Sequence, residues 1–81
     1  MNVDVRYFAA AREAAGLEVE PLTLPAGSTV AALRELLFAL HPDLRPLATG
    51  LRFAVGERFA GPDAALAEGD QVALIPPVSG G

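Results

Sequence analysis

The side chains that usually carry chemistry are scarce in this chain. It has one His (His41), no Cys, and six basic residues that are all Arg: Arg6, Arg12, Arg34, Arg45, Arg52 and Arg58. One His without Cys cannot make a zinc ligand set. The eight glycines lack the spacing of a phosphate-binding loop, and there is no Lys to reach a phosphate. Ser28, His41 and Asp43 are the residue types of a nucleophilic triad, but no strained nucleophile turn surrounds the serine. His41 reads better as the end of a helix, where a charged imidazole meets the helix dipole favourably. The pairs Glu18/Glu20 and Glu68/Asp70 are spaced for one strand face or one turn and read as solvated carboxylates.

The end of the chain is different. Pro76-Pro77-Val78-Ser79-Gly80-Gly81 is stiff at its root and slim at its tip, because Pro fixes φ and Gly has no side chain. Such a segment can thread a narrow channel and bring its own carboxylate to another protein's active site. The same run also fits a frayed terminus. In the first case the reactive group is the carboxylate of Gly81, and the shortage of catalytic side chains is no obstacle.

Size and charge narrow the classes further. Eighty-one residues make one small domain, with no second domain to close a cleft. Hydrophobic content of 52% argues against disorder. No apolar run reaches the ~18 residues of a membrane span. The chain opens on a strand-like pattern with no basic leader, and it lacks Cys, so a cytoplasmic location is expected. The net charge is −4 and the arginines are dispersed, which excludes the clustered basic surface that nucleic acid or an anionic membrane requires.

Hydrophobic periodicity supplies the elements that would hold this terminus. Asn2 to Phe8 alternates, with Val3, Val5 and Tyr7 on one side, and predicts a half-buried strand. Ala9 to Ala15 predicts a short helical turn stopped at Gly16. Glu18 to Leu24 alternates weakly, with Leu22 and Leu24 facing in, and Pro21 makes it an edge strand. Ser28 or Thr29 caps a helix whose apolar stripe is Val30, Leu33, Leu36, Leu37 and Leu40. His41-Pro42 ends it. Leu51 to Val55 and Arg58-Phe59 predict two strands around a tight turn at Gly56-Glu57, and Gln71 to Ile75 predicts the last strand.

The expected fold is α+β: a mixed sheet with one main helix on one face, and the last strand central and parallel to the first. Residues 1–76 would form the body and residues 77–81 a flexible tail. The other sheet face would stay uncovered, with Phe8 and Ile75 side by side on it and Phe59 and Arg12 at its margin. Contiguous exposed apolar side chains mark a binding surface.

These residues resemble a known family. The order of elements and the terminal Gly-Gly are similar to those of the ubiquitin-like β-grasp sulfur carriers, and most closely to the small subunits of molybdopterin synthase. The similarity runs through Val5–Glu13, Ser28–Leu37, Phe53–Val55 and Leu66–Ile75. Its most specific part is Gly69-Asp70, five residues, then Pro76-Pro77-Val78-Ser79-Gly80-Gly81. Gly56-Glu57 stands where the family more often has Asn-Gly.

The resemblance implies that Gly81 is adenylated with ATP by a ubiquitin-activating-like enzyme and thiocarboxylated by a sulfur donor protein. The tail, Pro76 to Gly80, would then enter the large subunit of molybdopterin synthase in a heterotetramer. There the sulfur would pass to cyclic pyranopterin monophosphate in molybdenum cofactor biosynthesis. On the same grounds Phe8, Arg12, Phe59 and Ile75 form the partner face. The chain itself binds no cofactor or metal and serves as a co-substrate, the catalytic side chains belonging to the large subunit. Related carriers for thiamine or tRNA thiolation, and ubiquitin-like protein modifiers, share the activated terminus and are the alternatives.

Overall fold

Alternation builds the first strand. Along β1 (Asn2–Tyr7), Val3, Val5 and Tyr7 are buried while Asn2, Asp4 and Arg6 are exposed, because successive side chains of a strand point to opposite faces. The computed structural model describes residues 1–77. After β1 come α1 (Ala9–Ala15), β2 (Val19–Thr23), α2 (Val30–Leu40), a 3₁₀ helix over Pro42–Leu47, β3 (Arg52–Val55), β4 (Arg58–Ala60) and β5 (Gln71–Ile75). Among the described residues no helix is long and apolar enough to cross a membrane.

The five strands form one sheet in the order β2-β1-β5-β3-β4. β5 lies parallel to β1, with Val5 opposite Val72 and Tyr7 opposite Leu74, and antiparallel to β3, with Arg52 opposite Ile75. β2 pairs antiparallel with β1 and places Pro21 on an outer edge, where its missing N–H costs no ladder bond. The last strand is thus central, as its apolar content requires. This is the β-grasp arrangement expected from the sequence.

One face of the sheet carries the core. Val3, Val5, Tyr7, Val72, Leu74 and Phe53 pack with Val30, Leu33, Leu37 and Phe38 of α2 and with Leu44 of the 3₁₀ helix. The first turn of α2 leaves no orphan donor. Val30 and Ala31 donate to the carbonyls of Ala64 and Pro62, and Ala32 donates to the Thr29 hydroxyl at 3.2 Å. The cap is therefore Thr29, while the Ser28 hydroxyl donates to the Pro25 carbonyl at 2.7 Å.

The apolar stripe of α2 differs at its end from the sequence reading. Phe38 is buried, whereas Leu40 is 46% exposed. The helix stops at Leu40, and the following 3₁₀ helix folds back on the side that carries Phe38. Arg34 and Arg45 lie over the Phe38 ring, with guanidinium carbons 4.6 and 5.7 Å from its centroid, so cations shield its outer rim.

Candidate functional site

Among the described residues no helix covers the second face of the sheet. The row Ala73–Ile75 of β5 lies beside Arg52 and Ala54 of β3, and Phe59 of β4 stands opposite Ala54. Phe8 follows β1 directly and projects to the same side, 47% exposed. Together Phe8, Ala54, Glu57, Phe59, Ala73 and Ile75 line an apolar groove of about 420 Å³. Ala54 and Ala73 are its small floor, and Phe8, Phe59 and Ile75 its walls. Exposed rings with a floor of alanines form a shaped apolar depression, the form that receives a partner's apolar anchor.

Three of the four residues assigned to this face from sequence therefore meet in one groove. The fourth, Arg12, does not line it. It lies on α1 and lines a neighbouring hollow with Arg6, Tyr7, Phe8, Ala9 and Glu18, joined to the groove through Phe8. The cation that touches the groove wall is Arg52, whose guanidinium carbon sits 3.6 Å from the Phe59 centroid. Stacking over the ring holds both side chains. Arg52, Ala54, Ala73 and Glu57 were missed in the sequence. Strand parity would have found the first three, since each shares its face with Phe59 or Ile75.

The tail begins at the end of β5. Burial alternates past the strand: Val72, Leu74 and Pro76 are buried, Ala73 and Ile75 half-buried, and Pro77 exposed. Pro76 thus packs as part of the folded body. The partner role assigned to Pro77 starts one residue beyond the buried chain. Val78, Ser79, Gly80 and Gly81 lie outside the described residues.

A polar cluster sits on the core side of the sheet. The Tyr7 hydroxyl donates to Glu20 Oε1 at 2.7 Å, and His41 Nε2 lies 2.8 Å from the same oxygen. The Tyr7 and His41 rings meet edge to face at 5.7 Å. Burial, then the hydrogen bond to Glu20 and its charge, push the Tyr7 phenol well above its ordinary value. Burial would raise Glu20, but the hydrogen bonds from Tyr7 and His41 and the charge of His41 outweigh it and hold the carboxyl below its ordinary value.

Glu20 is accordingly not the solvated carboxylate expected. Glu68 is exposed at a turn as expected and Asp70 half-buried, and they accept from the backbone N–H groups of Asn2 and Ala67 at 2.9 and 2.8 Å. Ser28 and His41 are engaged with Pro25 and Glu20 respectively, so no triad assembles. Among the described residues no group of His, Asp and Glu could hold a metal ion. Among the described residues, Glu57 is the only titratable side chain that lines the groove.

Comparison with known proteins agrees with this geometry. Residues 5–81 match the family model described as the ThiS family. The molybdopterin synthase sulfur carrier subunit of Chlamydomonas reinhardtii is 37% identical over 83 residues, covering 100% of both chains. The crystal structure of small archaeal modifier protein 1 (SAMP1) from Haloferax volcanii superposes with a TM-score of 0.89 at 27% identity, again over 100% of both chains. A chain in the complex of subunits 1 and 2 of the molybdopterin-converting factor from Helicobacter pylori matches with a TM-score of 0.74 at 24% identity over 100% of both chains, a likeness of fold.

Proposed function

This chain belongs to the ThiS family, and from that premise we propose that it is the sulfur-carrier small subunit of a molybdopterin synthase, with its own C-terminal carboxylate as the reactive group. The observation that carries the reading is the course of β5. This strand supplies Ala73 and Ile75 to the apolar groove and then runs directly into Pro76 and Pro77. A partner that grips the groove therefore holds the strand that leads into Pro77. The full-length similarity to a named sulfur carrier subunit supports the same reading.

The chemistry needs no side chain from this protein. On an adenylating enzyme, a carboxylate oxygen of Gly81 attacks the α-phosphate of ATP and pyrophosphate leaves, giving an acyl adenylate. A sulfide equivalent from the sulfur donor protein attacks the acyl carbon and displaces AMP, leaving a thiocarboxylate. In the synthase the sulfur forms a bond to a carbon of cyclic pyranopterin monophosphate as a carbon–oxygen bond of that carbon breaks, the oxygen leaving as water or remaining on the phosphate group. Water then cleaves the acyl–sulfur bond, so sulfur stays on the pterin and the Gly81 carboxylate is restored. Two rounds supply the two sulfurs of the dithiolene.

Val78, Ser79 and Gly80 would pass the channel, and the large subunit would supply the acid–base groups. Phe8, Phe59 and Ile75 would anchor the large subunit, with Arg12 at the rim. A cytoplasmic location fits the ATP requirement.

Deletion of Gly81 tests this. The shortened chain should bind the large subunit through its groove and keep the wild-type melting temperature, while sulfur transfer is lost. Full transfer by the deletion variant would refute the reading.

A second reading is favoured by the likeness to SAMP1: a protein modifier whose activated terminus is taken by a lysine amine. It predicts isopeptide adducts through Gly81, where the carrier reading predicts a thiocarboxylate. A carrier for thiamine or tRNA thiolation would differ only in the acceptor of the sulfur.

A further inference from the structure

We propose that Gly50 is a positioning residue for the C-terminus: it seats the Pro77 ring and sets the direction in which the last residues leave the body. The inference deepens the carrier reading and rests on it for its consequence in sulfur transfer.

The register of the sheet leads to Gly50. Along the β3–β5 ladder, Phe53 stands opposite Leu74 and Arg52 opposite Ile75. Continued outward, this antiparallel register sets Leu51 against Pro76 and Gly50 against Pro77. Neither proline has an N–H, so neither can donate to the ladder. Packing takes over where hydrogen bonding stops. Pro76 is buried like Val72 and Leu74 before it, and Pro77 continues the outward row of Ala73 and Ile75.

Pro77 lies against Gly50 so closely that a Cβ built on Gly50 would stand 2.9 Å from the Pro77 Cβ and 3.4 Å from its Cγ. A methyl group there would push the ring away. Gly50 lies in the turn between the 3₁₀ helix and β3, which the Leu51 N–H closes by donating to the Ala48 carbonyl at 3.3 Å, while the Pro77 ring is exposed and has room to yield.

Glycine at position 50 has a second cause, its φ of +85°. That cause alone does not account for the contact. Gly27 has the same φ, yet its Cβ direction meets nothing within 4 Å. The two sites share the backbone demand and differ in the neighbour. Gly27 is therefore the control for strain.

The chain's lack of Cys makes the direction of the tail measurable. A Ser79→Cys variant carrying a nitroxide label broadens the amide signals near the label in the intact protein. Gly50→Ala should change which amides are broadened, and Gly27→Ala should leave the pattern as in the parent. With the unlabelled terminus thiocarboxylated and the carrier bound to the large subunit, Gly50→Ala should slow single-turnover sulfur transfer by about tenfold or more. Its Kd for the large subunit should stay unchanged.

An unchanged broadening pattern in Gly50→Ala overturns the inference whatever the transfer rate. A changed pattern, in a system where the wild-type carrier transfers no sulfur, leaves the role of Gly50 standing and refutes the carrier reading instead. Should Gly50→Ala fail to fold, Pro77→Gly removes the same contact from the other side. A parent-like pattern in that variant overturns the inference equally.

Discussion

Phe8 shows how far a single residue can be read. Its type and its place just past an alternating strand predicted exposure on the open face, and it is 47% exposed. Phe8→Ala should cost less than about 1 kcal/mol of folding stability, well below the ~3–5 kcal/mol of a buried ring. The same change should weaken binding to the large subunit roughly tenfold or more, measured by calorimetry. Glu20 was legible only in part. It shares the inward parity of Leu22 and Leu24, but that the Tyr7 hydroxyl and the returning His41 both engage its carboxylate follows from the tertiary fold alone.

Because the folded protein holds the Glu20 carboxyl below its ordinary value, the charged form stabilises the fold. That contribution is fully present above the unfolded carboxyl's ordinary value and is lost as pH falls through the lowered folded one. Glu20→Gln should therefore cost about 1–2 kcal/mol at neutral pH. The gap from wild type should narrow on acidification, as read from urea unfolding at a series of pH values.

Elements were legible where the pattern was strong. The first strand, the Ala-rich helix ended by Gly16 in a left-handed conformation, and the central parallel placement of β5 all follow from alternation, a glycine stop and the need to cover an apolar strand. The end of α2 at His41-Pro42 was legible too, but the burial of Phe38 in place of Leu40 was not, because nothing local in the helix announces where the 3₁₀ helix will fold. The β3–β4 hairpin carries a local conflict. Gly56 and Glu57 have φ of +55° and +70°, the signature of a turn that prefers Asn-Gly. A non-glycine residue held there costs ~1–2 kcal/mol. Glu57→Gly should give back part of that, net of chain entropy, and raise stability by about 0.5–1 kcal/mol in urea denaturation. At the helix start, Thr29→Ala removes the bond to Ala32 and should lower stability by ~1 kcal/mol in the same assay.

At the scale of the whole molecule, the proposed function divides the two sheet faces between folding and docking. One face holds the core, and the other offers a groove whose central strand leads to the terminus. The arrangement suits a protein that is itself the reagent. It explains why 81 residues with one His and no Cys are enough, since the sulfur would be carried on the main-chain carboxyl. Pro76, given from sequence both to the body and to the segment that enters a partner, is buried with the body. Pro-Pro reads as a stop to hydrogen bonding, which it is, but Pro76 still packs as the next inward residue of β5. The most direct test of the central claim is intact-mass analysis of the protein from its native host, with fragmentation of the C-terminal peptide. The carrier account predicts a species in which one oxygen of the Gly81 carboxyl is replaced by sulfur. A terminus found only as isopeptide adducts to lysines of other proteins would contradict it.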